Sequence, residues 1–116
     1  MLNKLRIYFF TFISSLLSRY KIIDYKIRFL KDNPVATEIS EHTIILVNED
    51  NYIKWLYFKC PCECNDVIML SMSPNNKPNW DLKIDILGRV SLNPSIWQFQ
   101  GCNAHFRIIK SRVYWF

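Results

Sequence analysis

Two short clusters of cysteine and histidine constrain this chain more than any other feature of its sequence. The first is the segment Cys60–Cys64 (C-P-C-E-C), and the second, much later, is Cys102–His105 (C-N-A-H). Together they contain all four cysteines and one of the two histidines. Thiolate sulfur and imidazole nitrogen are the ligands of tetrahedral zinc sites. The pattern therefore predicts a zinc ion that joins two distant turns of the chain.

Five candidate ligands compete for the four positions of such an ion. Cys60 and Cys64 flank a three-residue loop, a spacing that allows both to bind one metal ion. Cys62 would have to fold back between them to bind the same ion. Cys102 and His105 suit a tight turn. The predicted ligands are therefore Cys60, Cys64, Cys102 and His105, with Cys62 as the alternate ligand. A closed shell of this kind is structural more often than catalytic, because no position stays open for water.

A disulfide framework is the alternative interpretation of the four cysteines. Three cysteines within five residues cannot readily bridge one another, and at most one of them could reach Cys102. Two thiols would stay unpaired, which suits a reducing compartment better than an oxidising one. Iron–sulfur sites usually show C-x2-C spacing, which is absent here. We therefore expect a zinc-binding protein of the cytoplasm.

The charge of the chain is unevenly distributed. Its 116 residues carry a net charge of +5, but residues 1–31 hold seven basic side chains against one acid, and the rest hold eight against nine. This difference predicts two parts: a basic N-terminal helix with the first strand over 1–31, and a zinc-stabilised β domain over 32–116. The basic charge could attract an acidic protein, an anionic membrane surface or nucleic acid, and it does not choose among them.

Residues 2–20 have the period of an amphipathic helix. The polar residues fall on one side, and the apolar residues fill the other: Leu5, Phe9, Phe12, Ile13, Leu16 and Leu17. The apolar run is too short to span a bilayer, which needs roughly 20 residues, and no convincing cleavage site follows it. We expect the apolar side to pack on the domain or on a partner. Membrane-surface association and a signal sequence are the alternatives.

The remainder alternates with the period of β-strands. Strands are predicted over 22–29, 43–47, 52–59, 66–72, 80–86, 89–92, 105–109 and 112–116. Trp80, Leu82, Ile84 and Ile86 are expected to face the core. The first cysteine cluster then lies at a hairpin tip, like a zinc knuckle. The predicted fold is mainly β (α+β), a small and mostly antiparallel sheet of seven or eight short strands after one helix.

Motifs of enzymes are scarce. The chain has no P-loop, no glycine-rich dinucleotide turn and no H-E-x-x-H. With His105 assigned to zinc, only His42 could act as the base for a serine nucleophile, and it is expected to be a solvated surface residue. No catalytic residue is predicted, and a non-enzymatic role is favoured. A metal-dependent hydrolase is a lesser alternative, which would need an open position on the metal.

Four pieces of the chain resemble a family of small bacterial proteins associated with bacterial ubiquitin-like conjugation gene clusters. They are C-P-C-E-C, the segment Gly88–Ile96 (G-R-V-S-L-N-P-S-I), C-N-A-H-F and a final V-Y-W, and the resemblance covers roughly residues 35–116. Relatives usually have glycine where this chain has Glu63 and Asn65. The resemblance implies zinc, and an accessory role beside E1-like, E2-like or ubiquitin-like proteins.

Aromatic residues near the second cluster would supply a surface for a protein partner: Trp97, Phe99, Tyr114, Trp115 and Phe116. Of these, Trp115 is expected to lie in the core. The runner-up function is nucleic-acid binding in the manner of a zinc ribbon, through Arg107, Lys110 and Arg112.

Overall fold

The structure, a computed structural model, describes residues 4–49 and 52–116. These residues form one α-helix, a 3-10 turn at Ala36–Glu38 and nine strands. The elements are α1 (Lys4–Arg19), β1 (Lys26–Leu30), β2 (Thr43–Glu49), β3 (Tyr52–Lys59), β4 (Val67–Ser71), β5 (Asp81–Ile84), β6 (Val90–Asn93), β7 (Ile96–Trp97), β8 (His105–Ile109) and β9 (Arg112–Trp115). The predicted mainly β fold is confirmed, and the strand that the sequence did not indicate is the two-residue β7.

The largest sheet contains the first four strands in the order β1-β2-β3-β4. β1 runs parallel to β2, and the other pairs are antiparallel. β2 is buried from Thr43 to Val47 because apolar side chains pack against both of its faces. This double burial explains why the sequence of β2 is an unbroken apolar run and does not alternate between polar and apolar residues.

Two smaller sheets cover one face of the large sheet. β5 pairs with β6, and β7, β8 and β9 form a three-stranded sheet. Their inward side chains share one core with those of the large sheet, and the ring of Phe58 on β3 meets that of Phe106 on β8 edge to face at 6.3 Å. This packing places the tip of the β3–β4 hairpin beside the loop between β7 and β8.

The turn of the β8–β9 hairpin holds three elements together. Lys110 and Ser111 both have positive φ, as a two-residue turn that follows the twist of its strands requires. Ser111 is fully buried, and its Oγ accepts the N–H of Val90. Its carbonyl accepts the N–H groups of Asp24 and Tyr25. The predicted two-residue turn is confirmed, and its serine accepts hydrogen bonds from two other segments of the chain.

Helix α1 packs on the domain mainly with its polar side, while Ile13 and Leu17 at the edge of the predicted apolar side are half-buried. Its one fully buried residue is Ser14, and Thr11 and Ser18 on the same side are half-buried. The predicted inward residues Leu5 and Phe12 are 81% and 65% exposed. The apolar side as a whole therefore does not pack on the domain, and its packing on a partner stays a prediction.

Two close contacts set this rotation of the helix. The Oγ of Ser14 accepts the N–H of Ile27 on the edge strand β1, so a small polar residue is needed at the contact. A Cβ at Gly88, in the β5–β6 turn, would lie 2.9 Å from the carbonyl oxygen of Phe10. Because unpaired buried amides and overlapping atoms are costly, these contacts outweigh the burial of larger side chains.

Two further details complete the fold. Ile86, predicted to face the core, is 82% exposed because β5 ends at Ile84 and the chain has already turned. Trp80, Leu82 and Ile84 do pack against the core, as predicted. Within the described residues, no helix is long and apolar enough to cross a membrane.

Candidate metal centre and serine–histidine pair

The four cysteines lie together in one cluster. The Sγ atoms of Cys60, Cys62, Cys64 and Cys102 are all within 4.8 Å of one another. The Sγ of Cys60 is 3.3 Å from that of Cys62 and 3.6 Å from that of Cys102. These distances are far longer than a disulfide bond of about 2.0 Å. They are close to the spacing of about 3.8 Å between sulfurs that share a tetrahedral zinc ion.

Local backbone geometry folds the hairpin tip around this cluster. The N–H of Cys60 donates to the carbonyl of Asp66 and closes the loop, while the N–H of Glu63 donates to the carbonyl of Cys60. Glu63 and Asn65 adopt left-handed conformations with φ of 70° and 68°. These are the two positions where glycine is usual in the family that the chain resembles. The tip therefore keeps the shape that glycine favours, although glutamate strains it.

Backbone N–H groups point at three of the four sulfurs. In each case the donor belongs to the residue two further along the chain: Cys62 for Cys60, Asp66 for Cys64 and Ala104 for Cys102. The N–H of Ala104, together with hydrogen bonds from the other three thiols, lowers the pKa of Cys102 to about 7. Burial raises the pKa of Cys60, and the N–H of Cys62 opposes that effect. The N–H of Asp66 also lowers the pKa of Cys64, but hydrogen bonding with the Cys62 and Cys102 thiols, together with burial, outweighs it and raises that pKa to about 11. Of these three thiols, Cys102 is the one whose thiolate, the form that binds a metal, is favoured.

The structure brings together three of the four predicted ligands, Cys60, Cys64 and Cys102. The fourth member of the cluster is Cys62, which the sequence suggested as the alternate, and His105 does not belong to it. The spacing alone could not rank Cys62 above His105. That choice depends on the path of the backbone at Glu63 and Asn65.

His105 contacts a serine instead. Its Nε2 lies 3.1 Å from the Oγ of Ser95, within the range of a nucleophile and its base. β7 pairs with β8 so that Trp97 lies opposite His105. Because side chains alternate along a strand, Ser95 is on the same face as Trp97 and diagonal to His105. The register of two short strands thus forms the pair.

Aromatic rings hold the imidazole in place. The ring of His105 stacks on Phe116 at 4.3 Å and on Trp97 at 5.4 Å, with interplanar angles of 20° and 23°. Trp97 is itself fixed by a hydrogen bond from its Nε1 to the Oδ1 of Asn103. On the other side, Trp80 donates its Nε1–H to the carbonyl of Ser95. Both members of the pair are half-buried, so a substrate can reach them.

The aromatic surface predicted around this region is present. Trp97, Phe99, Tyr114, Trp115 and Phe116 are all at least half exposed. The expectation that Trp115 lies in the core is wrong, because its ring contacts Phe106 at 5.6 Å and yet stays 53% exposed. A cavity of about 290 Å³ is lined by the loop from Trp97 to Gly101, beside the serine–histidine pair.

A larger cavity of about 370 Å³ lies elsewhere, against Tyr25, His42, Cys60 and Trp115. Neither Ser95 nor His105 lines it. Trp115 pairs with Phe106, whose side chain is on the opposite face of the strand from that of His105. Ser95 and His105 therefore lie on the other face of the β7–β9 sheet from this cavity.

The site is a serine hydrogen-bonded to a half-buried histidine, beside a cysteine cluster able to hold a metal. The comparison with protein families agrees with it. Residues 29–116 match BubE, described as a bacterial ubiquitination-like system serine protease, and the chain belongs to this family. The resemblance to proteins of bacterial ubiquitin-like conjugation clusters is thereby confirmed. Comparison with curated proteins and with solved structures gives no significant match.

Reasoning from the sequence missed the contact between Ser95 and His105. The assignment of His105 to zinc removed the one histidine able to serve as a base for Ser95. The available signal was the P-S-I motif, in which a serine stands between a proline and a residue that is buried in the structure, Ile96. That pattern does not name a base, because the partner histidine belongs to another strand.

Proposed function

We propose that this chain is a serine hydrolase, with Ser95 as the nucleophile and His105 as the general base, that acts in a bacterial ubiquitination-like system. The single observation that carries the proposal is the 3.1 Å contact between Ser95 Oγ and His105 Nε2. The family description, which names a serine protease, supports the same reaction. The role proposed here replaces the non-catalytic one favoured from the sequence.

The reaction is acyl transfer in two steps. Ser95 Oγ attacks the carbonyl carbon of the substrate as its proton passes to His105 Nε2. The C–O bond to the serine forms, and His105 gives the proton to the leaving amine as the scissile C–N bond breaks. A water molecule then attacks the acyl-serine as its proton passes to His105, which returns that proton to Ser95 Oγ as the acyl C–O bond breaks and the acid leaves. The two stacked rings keep the imidazole aligned through both steps.

The proposed substrate is a peptide bond in a protein of the ubiquitination-like system. Two features of the surface support a protein substrate. Exposed aromatic side chains surround the pair on the side from which a substrate approaches, and such residues dominate binding energy at protein surfaces. The loop of Trp97, Gln98 and Phe99 forms a shallow cavity that an extended segment could enter.

The proposed metal ligands are the four cysteines. Their four Sγ atoms lie within 4.8 Å of one another, and two of the distances, 3.3 and 3.6 Å, are near the spacing in a tetrahedral zinc site. Zinc bound there would serve as a structural cross-link between the β3–β4 tip and the β7–β8 loop. Because Cys102 precedes His105 by only three residues, the cross-link would fix the start of β8 and thus the position of the base.

A fluorophosphonate probe, which reacts with activated serines, tests the proposal. We expect labelling of the full zinc-bound chain and its loss in Ser95→Ala. Ser73→Ala is the matched control, since Ser73 is also half-buried but its Oγ accepts the N–H of Asn75 and faces no histidine. The wild type and Ser73→Ala should also cleave a ubiquitin-like precursor, and Ser95→Ala should not.

Equal labelling of wild type and Ser95→Ala would overturn the nucleophile assignment. Failure of the zinc-bound wild type to label or to cleave would overturn the hydrolase. If that inactive protein still bound E1-like, E2-like or ubiquitin-like proteins, the accessory role predicted from the sequence would stand in its place.

A further inference from the structure

The outward face of helix α1 is apolar and largely exposed in the part of the chain that the structure describes. Leu5, Phe9, Phe12 and Leu16 are 81%, 50%, 65% and 40% exposed, and Tyr8 lies beside them. Their spacing of three and four residues aligns them in one stripe along the helix. We call these five residues the outer stripe. Scattered exposed apolar residues are ordinary, but a continuous stripe of large side chains indicates a binding surface.

The rotation that exposes the outer stripe is fixed by the fold. Ser14 is hydrogen-bonded to β1, and Gly88 allows the β5–β6 turn to approach the backbone at Phe10. Turning the stripe inward would break the first contact and bring a large side chain against Ile27. The stripe is therefore a stable feature of the protein surface.

Basic side chains flank the outer stripe. Lys4 and Arg6 lie at its beginning, Arg19 and Lys21 lie at its end, and all four are exposed. The sequence has no acidic residue from Lys4 to Ile23, and the first one, Asp24, is engaged with the N–H of Val113 on β9. A charged rim around a large apolar face is the composition of helices that lie in a membrane interface.

We propose that α1 docks this protein on an anionic membrane surface, with the outer stripe among the acyl chains and the basic side chains at the headgroups. Aromatic residues suit this position because their rings sit at the boundary between headgroups and acyl chains. The family match begins at residue 29, after the helix, so the proposal is independent of the hydrolase reaction.

The charge selects lipid over a second copy of the chain. Two helices packed stripe to stripe would bring their basic rims together, with no acidic residue on either helix to compensate. Anionic lipids instead add attraction of roughly 1 kcal/mol for each basic side chain near the surface, which is about a fivefold gain in binding.

Co-sedimentation of the full chain with lipid vesicles tests this inference. Vesicles of phosphatidylcholine are compared with vesicles of equal parts phosphatidylcholine and phosphatidylglycerol. We expect binding to the anionic vesicles that weakens with salt. The double variant Phe9→Gln/Phe12→Gln should bind about tenfold more weakly or worse, because the burial of two aromatic side chains is lost. Met69→Gln is the control, since Met69 is 52% exposed on β4.

A second variant, Lys4→Gln/Arg19→Gln, isolates the charge. Its binding to the anionic vesicles should fall about 25-fold, at about fivefold for each cation, with little change on neutral vesicles. Both double variants change exposed residues, so an unchanged unfolding midpoint verifies the fold. Failure of the wild type to bind anionic vesicles, or equal binding by Phe9→Gln/Phe12→Gln, would overturn the proposal. A dimer that this variant dissociates, without vesicle binding, would assign the stripe to self-association.

Discussion

Helix α1 and the corner that joins the cysteine cluster to Ser95 and His105 are both at the surface, but they are held in different ways. In the corner, the functional atoms are placed by short contacts of 3.1–3.6 Å between named side chains. In the helix, two contacts on the inner side fix the rotation, and the side chains of the outer stripe are 40–81% exposed. The family match includes the corner and begins after the helix.

This difference predicts how each of the two regions responds to substitution. The corner depends on distances, so a change of one atom type should abolish its function. The outer stripe depends on area and charge, so its function should decline gradually with each substitution. The two regions should also be separable: changes in one should leave the other intact.

The largest effect is expected within the corner, from His105→Asn and Cys62→Ser. His105→Asn should lower hydrolysis at least about a thousandfold through loss of the base. It should still retain stoichiometric zinc, because the proposed ligands are all cysteines. Cys62→Ser should weaken zinc binding by more than about 100-fold, since it removes a ligand directly. Metal analysis beside a cleavage assay checks both, with His42→Asn as the control.

The opposite result would restore the ligand set predicted from the sequence. If His105→Asn lost zinc and Cys62→Ser kept it, His105 would be a ligand and the serine would have no base. Vesicle binding through α1 should be the same in all three variants, and its loss in any of them would show that the two regions are coupled.

An intermediate effect is expected where the helix meets the body. In Gly88→Ala, the new Cβ would lie 2.9 Å from the carbonyl oxygen of Phe10, on a backbone with φ of 72°. The left-handed conformation and the overlap together should lower the free energy of unfolding by about 2 kcal/mol. Denaturant unfolding measures this. Gly101→Ala is the control, with a nearest contact of 3.5 Å, and should change stability by less than about 0.5 kcal/mol.

The smallest effect is expected at the hairpin tip. Glu63 has φ of 70°, a conformation that costs a residue with a side chain about 1–2 kcal/mol. Glu63→Gly removes this strain but adds freedom to the unfolded chain, so the net gain should be at most about 1 kcal/mol. Asn65→Gly should gain less, because asparagine tolerates this conformation. A loss of stability in Glu63→Gly, measured by unfolding of the zinc-bound protein, would contradict the strain.

The sequence predicted most of the local structure. Alternation, together with the unbroken apolar run of β2, located eight of the nine strands, and turn residues located the hairpin tip and the Lys110–Ser111 turn. It did not predict which side of α1 packs on the domain, because periodicity identifies an apolar side but not the contact that competes for the interior. A single hydrogen bond from Ile27 to Ser14, together with the approach of Gly88, set the observed orientation.

The sequence by itself indicated that the cysteines form one cluster. Three of them lie within five residues of one another, and Cys102 is the one cysteine elsewhere in the chain. It also determined the charge that surrounds the helix. Only the tertiary structure decided that His105 contacts Ser95 and that Cys62 lies with the other three cysteines. The register of β7 with β8 brings Ser95 diagonal to His105, while the left-handed backbone at Glu63 and Asn65 turns Cys62 into the cluster. Both outcomes depend on pairing between segments that no local pattern encodes.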